Sequence, residues 1–89
     1  MRVELGEVAR NDLRAIRAYY STISPRVEND ILDDVFATFD AISTLPRSGR
    51  EIRQKVRKNV SPKYRFVILS RPVEDYIEST AIFRQQDRL

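Results

Sequence analysis

The stretch from Ser24 to Pro46, SPRVENDILDDVFATFDAISTLP, decides how the rest of the chain is read. Ser24 suits a helix N-cap, and Pro25 is tolerated in the first turn, where its missing amide has no partner to lose. Beyond them Val27, Ile31, Val35, Phe39 and Ile42 recur at steps of four and three, and Leu32, Phe36 and Leu45 widen the apolar stripe. Glu28 and Asp30 suit the electropositive end of such a helix. Pro46 cannot continue the hydrogen-bond ladder and stops it. The spacing therefore predicts a long helix with one buried face.

Toward the N-terminus, Ala9, Leu13, Ile16, Tyr20 and Ile23 form a second stripe, with Arg10, Arg14 and Arg17 mainly outside it. The two segments make a helical hairpin. Before it, Arg2 to Leu5 alternates polar and apolar residues, as a short strand does. After the Pro46 to Gly49 loop the period drops from about 3.6 to two. Ile52 and Val56 share one expected strand, Asn59-Val60-Ser61-Pro62 a turn, and Tyr64 to Leu69 a β-branched and aromatic strand. A loop over Arg71 to Asp75 precedes a last strand, Tyr76 to Phe83, whose expected core-facing set is Ile77, Ser79, Ala81 and Phe83. The fold class is α+β, in the order β-α-α-β-β-β: an N-terminal short strand, a two-helix hairpin, then an antiparallel β-sheet covered on one face by both helices. A single domain over residues 1–89 accounts for all of it, with no linker or repeat.

At 89 residues and 10.4 kDa the chain supports one modest core. It has neither Cys nor His, which excludes disulfides, thiolate nucleophiles, histidine bases and nearly all zinc sites. No metal and no cofactor is expected. The longest apolar runs are four residues, Phe66 to Leu69 among them, so no membrane partner and a cytoplasmic location are expected. The net charge of +3 hides an uneven distribution. Arg47 to Arg71 holds nine basic residues (Arg47, Arg50, Arg53, Lys55, Arg57, Lys58, Lys63, Arg65 and Arg71) against the single acid Glu51. Glu28 to Asp40 holds five acids and no base. Such a field draws in polyanions or an acidic protein segment, although either charge run is also what a solvated face looks like.

The order of elements and several residues resemble the RelE/ParE toxin superfamily, and its ParE-like branch in particular. The likeness rests on Ala9, Asp12-Leu13, Ile16 and Tyr19-Tyr20 in the first helix, then on Ile42 to Leu45 with Pro46 and Gly49. It continues through Tyr64-Arg65-Phe66-Val67 and the last strand leading to Arg84 and Asp87-Arg88. Order and spacing carry it, since no single motif is a catalytic signature. The resemblance implies the toxin of a bacterial type II toxin-antitoxin module, also known as plasmid stabilization, held inactive by a cognate antitoxin in a hetero-oligomer. DNA would be contacted only indirectly, through the antitoxin. For ParE-like members it implies a DNA gyrase inhibitor that acts by protein–protein contact. Two departures stand out: Gly6 where many relatives have a capping Ser, and Ile68-Leu69-Ser70 in place of a tyrosine-containing strand end. An inactive, antitoxin-binding relative would carry the same sequence features.

The RelE-type alternative is a ribosome-dependent mRNA endoribonuclease. Cleavage by attack of a ribose 2′-hydroxyl needs a proton acceptor, a proton donor and stabilisation of charge on phosphorus. Arg57, Arg65 and Arg84 are the candidates for that alternative, with Lys58 as a further phosphate contact. Only Gln85-Gln86-Asp87-Arg88-Leu89 follows Arg84, with no Tyr or His to handle protons, and Tyr64 reads as a half-buried strand residue. A plain nucleic-acid binder has the charge but no basic recognition helix. The preferred reading is a binding protein without a catalytic residue. Its expected antitoxin-binding residues are Arg47, Arg50, Arg53 and Arg57, where carboxylates can be held bidentately. Its expected target-binding residues are Phe83, Arg84, Arg88 and Leu89. Tyr19, beside the first stripe, reads as a cover over the helix pair.

Overall fold

The computed structural model describes residues 1–84. Its elements are β1 (Val3–Leu5), α1 (Glu7–Ser21), α2 (Pro25–Thr44), β2 (Arg50–Arg53), β3 (Val56–Val60), β4 (Phe66–Val73) and β5 (Tyr76–Arg84). The helical hairpin forms where the two stripes place it. The Ser24 side chain accepts the Val27 amide at 3.3 Å, Pro25 opens the first turn, and Leu45 caps the end just before Pro46. Ala9 and Leu13 of α1 and Ile31, Val35, Phe39 and Ile42 of α2 are buried together. Three residues expected in the stripes lie outside the core. Ile23 falls past the end of α1 and is 59% exposed, while Phe36 on α2 and Leu45 at its C-cap are exposed. The apolar arc of α2 is wider than the face the sheet covers.

The five strands form one sheet in the order β1-β5-β4-β3-β2. The four later strands are antiparallel, and β1 adds to the far side of β5 in parallel, making the sheet mixed. Where one strand was expected to carry Ile52 and Val56, the chain makes two, turning at Gln54-Lys55 with Lys55 at φ 59°. Lys55 takes the left-handed conformation that usually advertises itself as Gly or Asn, so the turn has no sequence marker. The order is therefore β-α-α-β-β-β-β. Asn59 and Val60 are strand residues, and the expected turn shifts to Ser61–Arg65. The loop expected over Arg71 to Asp75 shrinks to Glu74-Asp75, with Glu74 at φ 52°. Pro72 is tolerated within β4 because it lies past Ser70, the last β4 residue paired by β3.

Register explains the core. Phe66, Ile68 and Ser70 share the helix side of β4, and Ile82, Ser79 and Ile77 face the same way on β5. Strict alternation would instead put Ala81 and Phe83 beside Ile77 and Ser79. A bulge at Thr80 intervenes: Leu69 pairs with Ala81 while Ser70 pairs with Ser79. Thr80 is the extra residue, so Ile82 and Arg84 turn toward the helices and Phe83 turns away, opposite Val67. The Ser79 hydroxyl donates to the Leu69 carbonyl at the bulge, at 3.4 Å. Past the end of β1, the open edge of β5 is met by α1, where Asp12 Oδ2 accepts the Ile82 amide at 2.9 Å.

Candidate partner-binding surface

The basic block divides between the two ends of the sheet. At one end the loop after α2 and the β2–β3 hairpin carry Arg47, Arg50 and Arg53, all exposed. Arg57 stands apart from them because it is half-buried and already engaged. Its Nη1 donates to the carbonyls of Gly49, at 2.7 Å, and Arg47, at 3.3 Å, and its Nη2 lies 3.6 Å from Glu51 Oε1. It pins the loop to β3. Gly49 is buried against the same strand: a Cβ there would stand 2.6 Å from the Lys58 carbonyl oxygen and 2.5 Å from Asn59 Nδ2. Only a residue without a side chain lets the loop approach so closely.

At the other end the β3–β4 turn carries Lys63, Tyr64 and Arg65. Asp34, buried on α2, accepts the Lys63 amide at 3.2 Å and the Tyr64 amide at 2.8 Å, one on each carboxylate oxygen. Ser61 closes the turn by exchanging hydrogen bonds with Phe66, and Arg65 is held at φ 63°. Phe66 pairs with Arg84, so this turn brings Arg65 close to the end of β5. Arg84 Nη1 donates to the Tyr20 hydroxyl at 2.6 Å, and the Tyr20 ring meets Phe66 edge to face at 6.4 Å. Sequence reading placed Tyr20 in the core stripe and missed this pair. The two residues are 64 apart in the chain, and only the Thr80 bulge turns Arg84 toward α1.

Arg57, Arg65 and Arg84 thus do not make one site. Arg57 pairs with Ser70, four residues along β4 from Phe66, which at strand rise is about 13 Å. Phe83 is half-buried on the helix-free face of the sheet. Arg88 and Leu89 lie outside the described residues. Tyr19 is 60% exposed and stacks edge to face on Tyr20 at 4.9 Å, so it projects from the helix pair rather than covering it. Among the described residues no cluster of Asp and Glu could hold a metal ion, and no helix is long and apolar enough to cross a membrane.

No family model matches the sequence, and no curated protein matches it. The fold does have a solved counterpart. A chain of the chromosomal ParDE TA system from P. aeruginosa superposes with a TM-score of 0.79 at 20% identity, over 94% of this chain and 95% of that one. The chain has the RelE/ParE-like fold. Within that RelE/ParE-like frame, the hairpin helices, the Gly49 approach and the Asp34-held turn are what position the two cationic ends.

Proposed function

We propose that this protein is the toxin of a type II toxin-antitoxin module and inhibits DNA gyrase by protein–protein contact. The cognate antitoxin binds through Arg47, Arg50, Arg53 and Arg57, and the target is contacted through Phe83, Arg84, Arg88 and Leu89. The observation that carries this reading is the agreement in fold, nearly end to end, with a chain of a ParDE TA system. The layout of charge supports it. Arg47 on the loop after α2 and Arg50 and Arg53 on the hairpin are exposed, available to carboxylates, while Arg57 stiffens the loop that presents Arg47. The separation of Arg57 from Arg84 supports contact over catalysis.

Expression of the chain alone should arrest growth with filamentation and DNA-damage signalling while protein synthesis continues. Co-expression of the cognate antitoxin should relieve the arrest. An immediate halt to translation would reject the gyrase target.

One observation favours the nuclease alternative. The Tyr20 hydroxyl accepts its hydrogen bond from Arg84, which leaves its own proton available for donation, with Arg65 on the adjoining turn. Under that reading Tyr20 would protonate the leaving oxygen, the proton of the attacking 2′-hydroxyl would pass to water, and the two arginines would hold the phosphate. Tyr20→Phe would then abolish cutting of ribosome-bound mRNA, whereas a gyrase inhibitor would leave such mRNA intact with either residue.

A further inference from the structure

One flank of the molecule is left open. β1 is an edge strand of three residues, and among the described residues no strand pairs with its outer side. Between β1 and α2 lies a groove of about 590 Å³, with Val3 and Leu5 on the strand and Phe36 and Phe39 on the helix. The two rings meet edge to face at 5.5 Å, but Phe39 is buried whereas Phe36 keeps 46% of its surface exposed. A phenyl ring is among the largest apolar surfaces a side chain can bury, and here much of it stays in water at the mouth of an apolar groove.

The charges of this groove are balanced, unlike those of the sheet ends. Arg2 and Arg10 stand against Glu4 and Asp40. Arg2 and Glu4 pair with each other. Arg10 on α1 and Asp40 on α2 have no ionic partner among the described residues, and Arg10 Nη2 donates to the Leu5 carbonyl at 3.0 Å.

We propose that the groove seats a second copy of this chain across a two-fold axis. Phe36 of each copy enters the groove of the other, and Asp40 of each meets Arg10 of the other. Charge complementarity selects the occupant. A strongly acidic partner would be repelled by Asp40 and a strongly basic one by Arg10, whereas a second copy offers each of them its opposite. A two-fold contact is isologous: where residue i touches j, j also touches i, so one acid on α2 and one base on α1 answer each other twice. Asp40 lies one helical turn from Phe36, on the same side of α2, so ring and carboxylate reach the other copy together. The second copy also covers the open edge at β1, which would otherwise stay available for pairing. This contact needs neither antitoxin nor target, so its failure would leave the proposed function standing.

Sedimentation velocity on the purified chain over a graded concentration series tests the contact. The expected behaviour is a reversible equilibrium between monomer and dimer. Asp40→Arg and Arg10→Asp should each raise the dimer dissociation constant at least about tenfold, since each sets like charges face to face in its own homodimer. An equimolar mixture of the two variants should dimerise again, because in the mixed dimer both cross-copy pairs join opposite charges. Loss of fold in either variant could not give that recovery. Phe36→Ser should weaken the dimer at least about tenfold, and Ile23→Ser, at a still more exposed apolar residue past the end of α1, less than about twofold. A chain that stays monomeric up to about 100 μM, a dimer indifferent to both charge reversals, or a mixture no better than its components would overturn the contact. So would a monomeric chain whose affinity for the cognate antitoxin falls with Phe36→Ser, which would place a different protein in the groove.

Discussion

Asp34 accepts the amides of Lys63 and Tyr64 on its two oxygens from a position closed to water, and so joins α2 to the turn that presents Arg65. In the sequence it is one of five acids in a run that reads as a solvated face. Asp34→Ala leaves two amides without acceptors, and urea denaturation should show a loss of about 1–3 kcal/mol. Gly49 offers a second test at the same scale. A methyl group there meets the backbone carbonyl of Lys58, which cannot swing away as a side chain would, so Gly49→Ala should lower stability by about 1–3 kcal/mol. An unchanged denaturation midpoint in either variant would show that the loop or turn relaxes freely. By contrast, the four ion pairs seen among the described residues all involve at least one half-exposed arginine or glutamate, and each contributes at most about 1 kcal/mol.

Lys55 in the β2–β3 turn holds φ at 59°, a conformation that costs an L side chain of order 1 kcal/mol. Lys55→Gly removes that strain but frees the unfolded chain, and the balance should be a gain of about 0.5 kcal/mol, read from the thermal midpoint. A loss would mean that the Lys55 side chain contributes more to the hairpin than its backbone costs. The same turn shows where sequence reading stopped. The helices were legible because a buried stripe repeats over many residues and capping chemistry marks its start. The extra hairpin was not, because a lysine occupies the position that glycine normally flags. The loop expected over Arg71 to Asp75 took in Pro72, which belongs to β4 where that strand has lost one neighbour. Alternation along β5 was followed correctly to Ser79 and then failed, since a bulge at Thr80 reverses every side chain beyond it. The candidate site inherited both results. Arg47, Arg50 and Arg53 were found as exposed cations from charge alone, whereas the Tyr20–Arg84 pair depends on a register shift that no local pattern encodes.

Across the whole molecule, cations concentrate at two ends of one sheet while five acids fall on α2. Association with an acidic partner should therefore be steered electrostatically, and its on-rate should fall steeply as ionic strength rises while the off-rate changes less. Stopped-flow association with the cognate antitoxin at graded salt checks this, and a salt-independent on-rate would place the contact on the apolar helix surface instead. The two ends also set the central issue, whether the chain works by docking or by breaking bonds. The direct measurement is a paired assay with the purified chain: supercoiling by DNA gyrase in one tube and primer extension on ribosome-bound mRNA in the other. Docking predicts stalled supercoiling with transcripts of full length. Cuts in the transcripts at catalytic turnover, with supercoiling undisturbed, would contradict it.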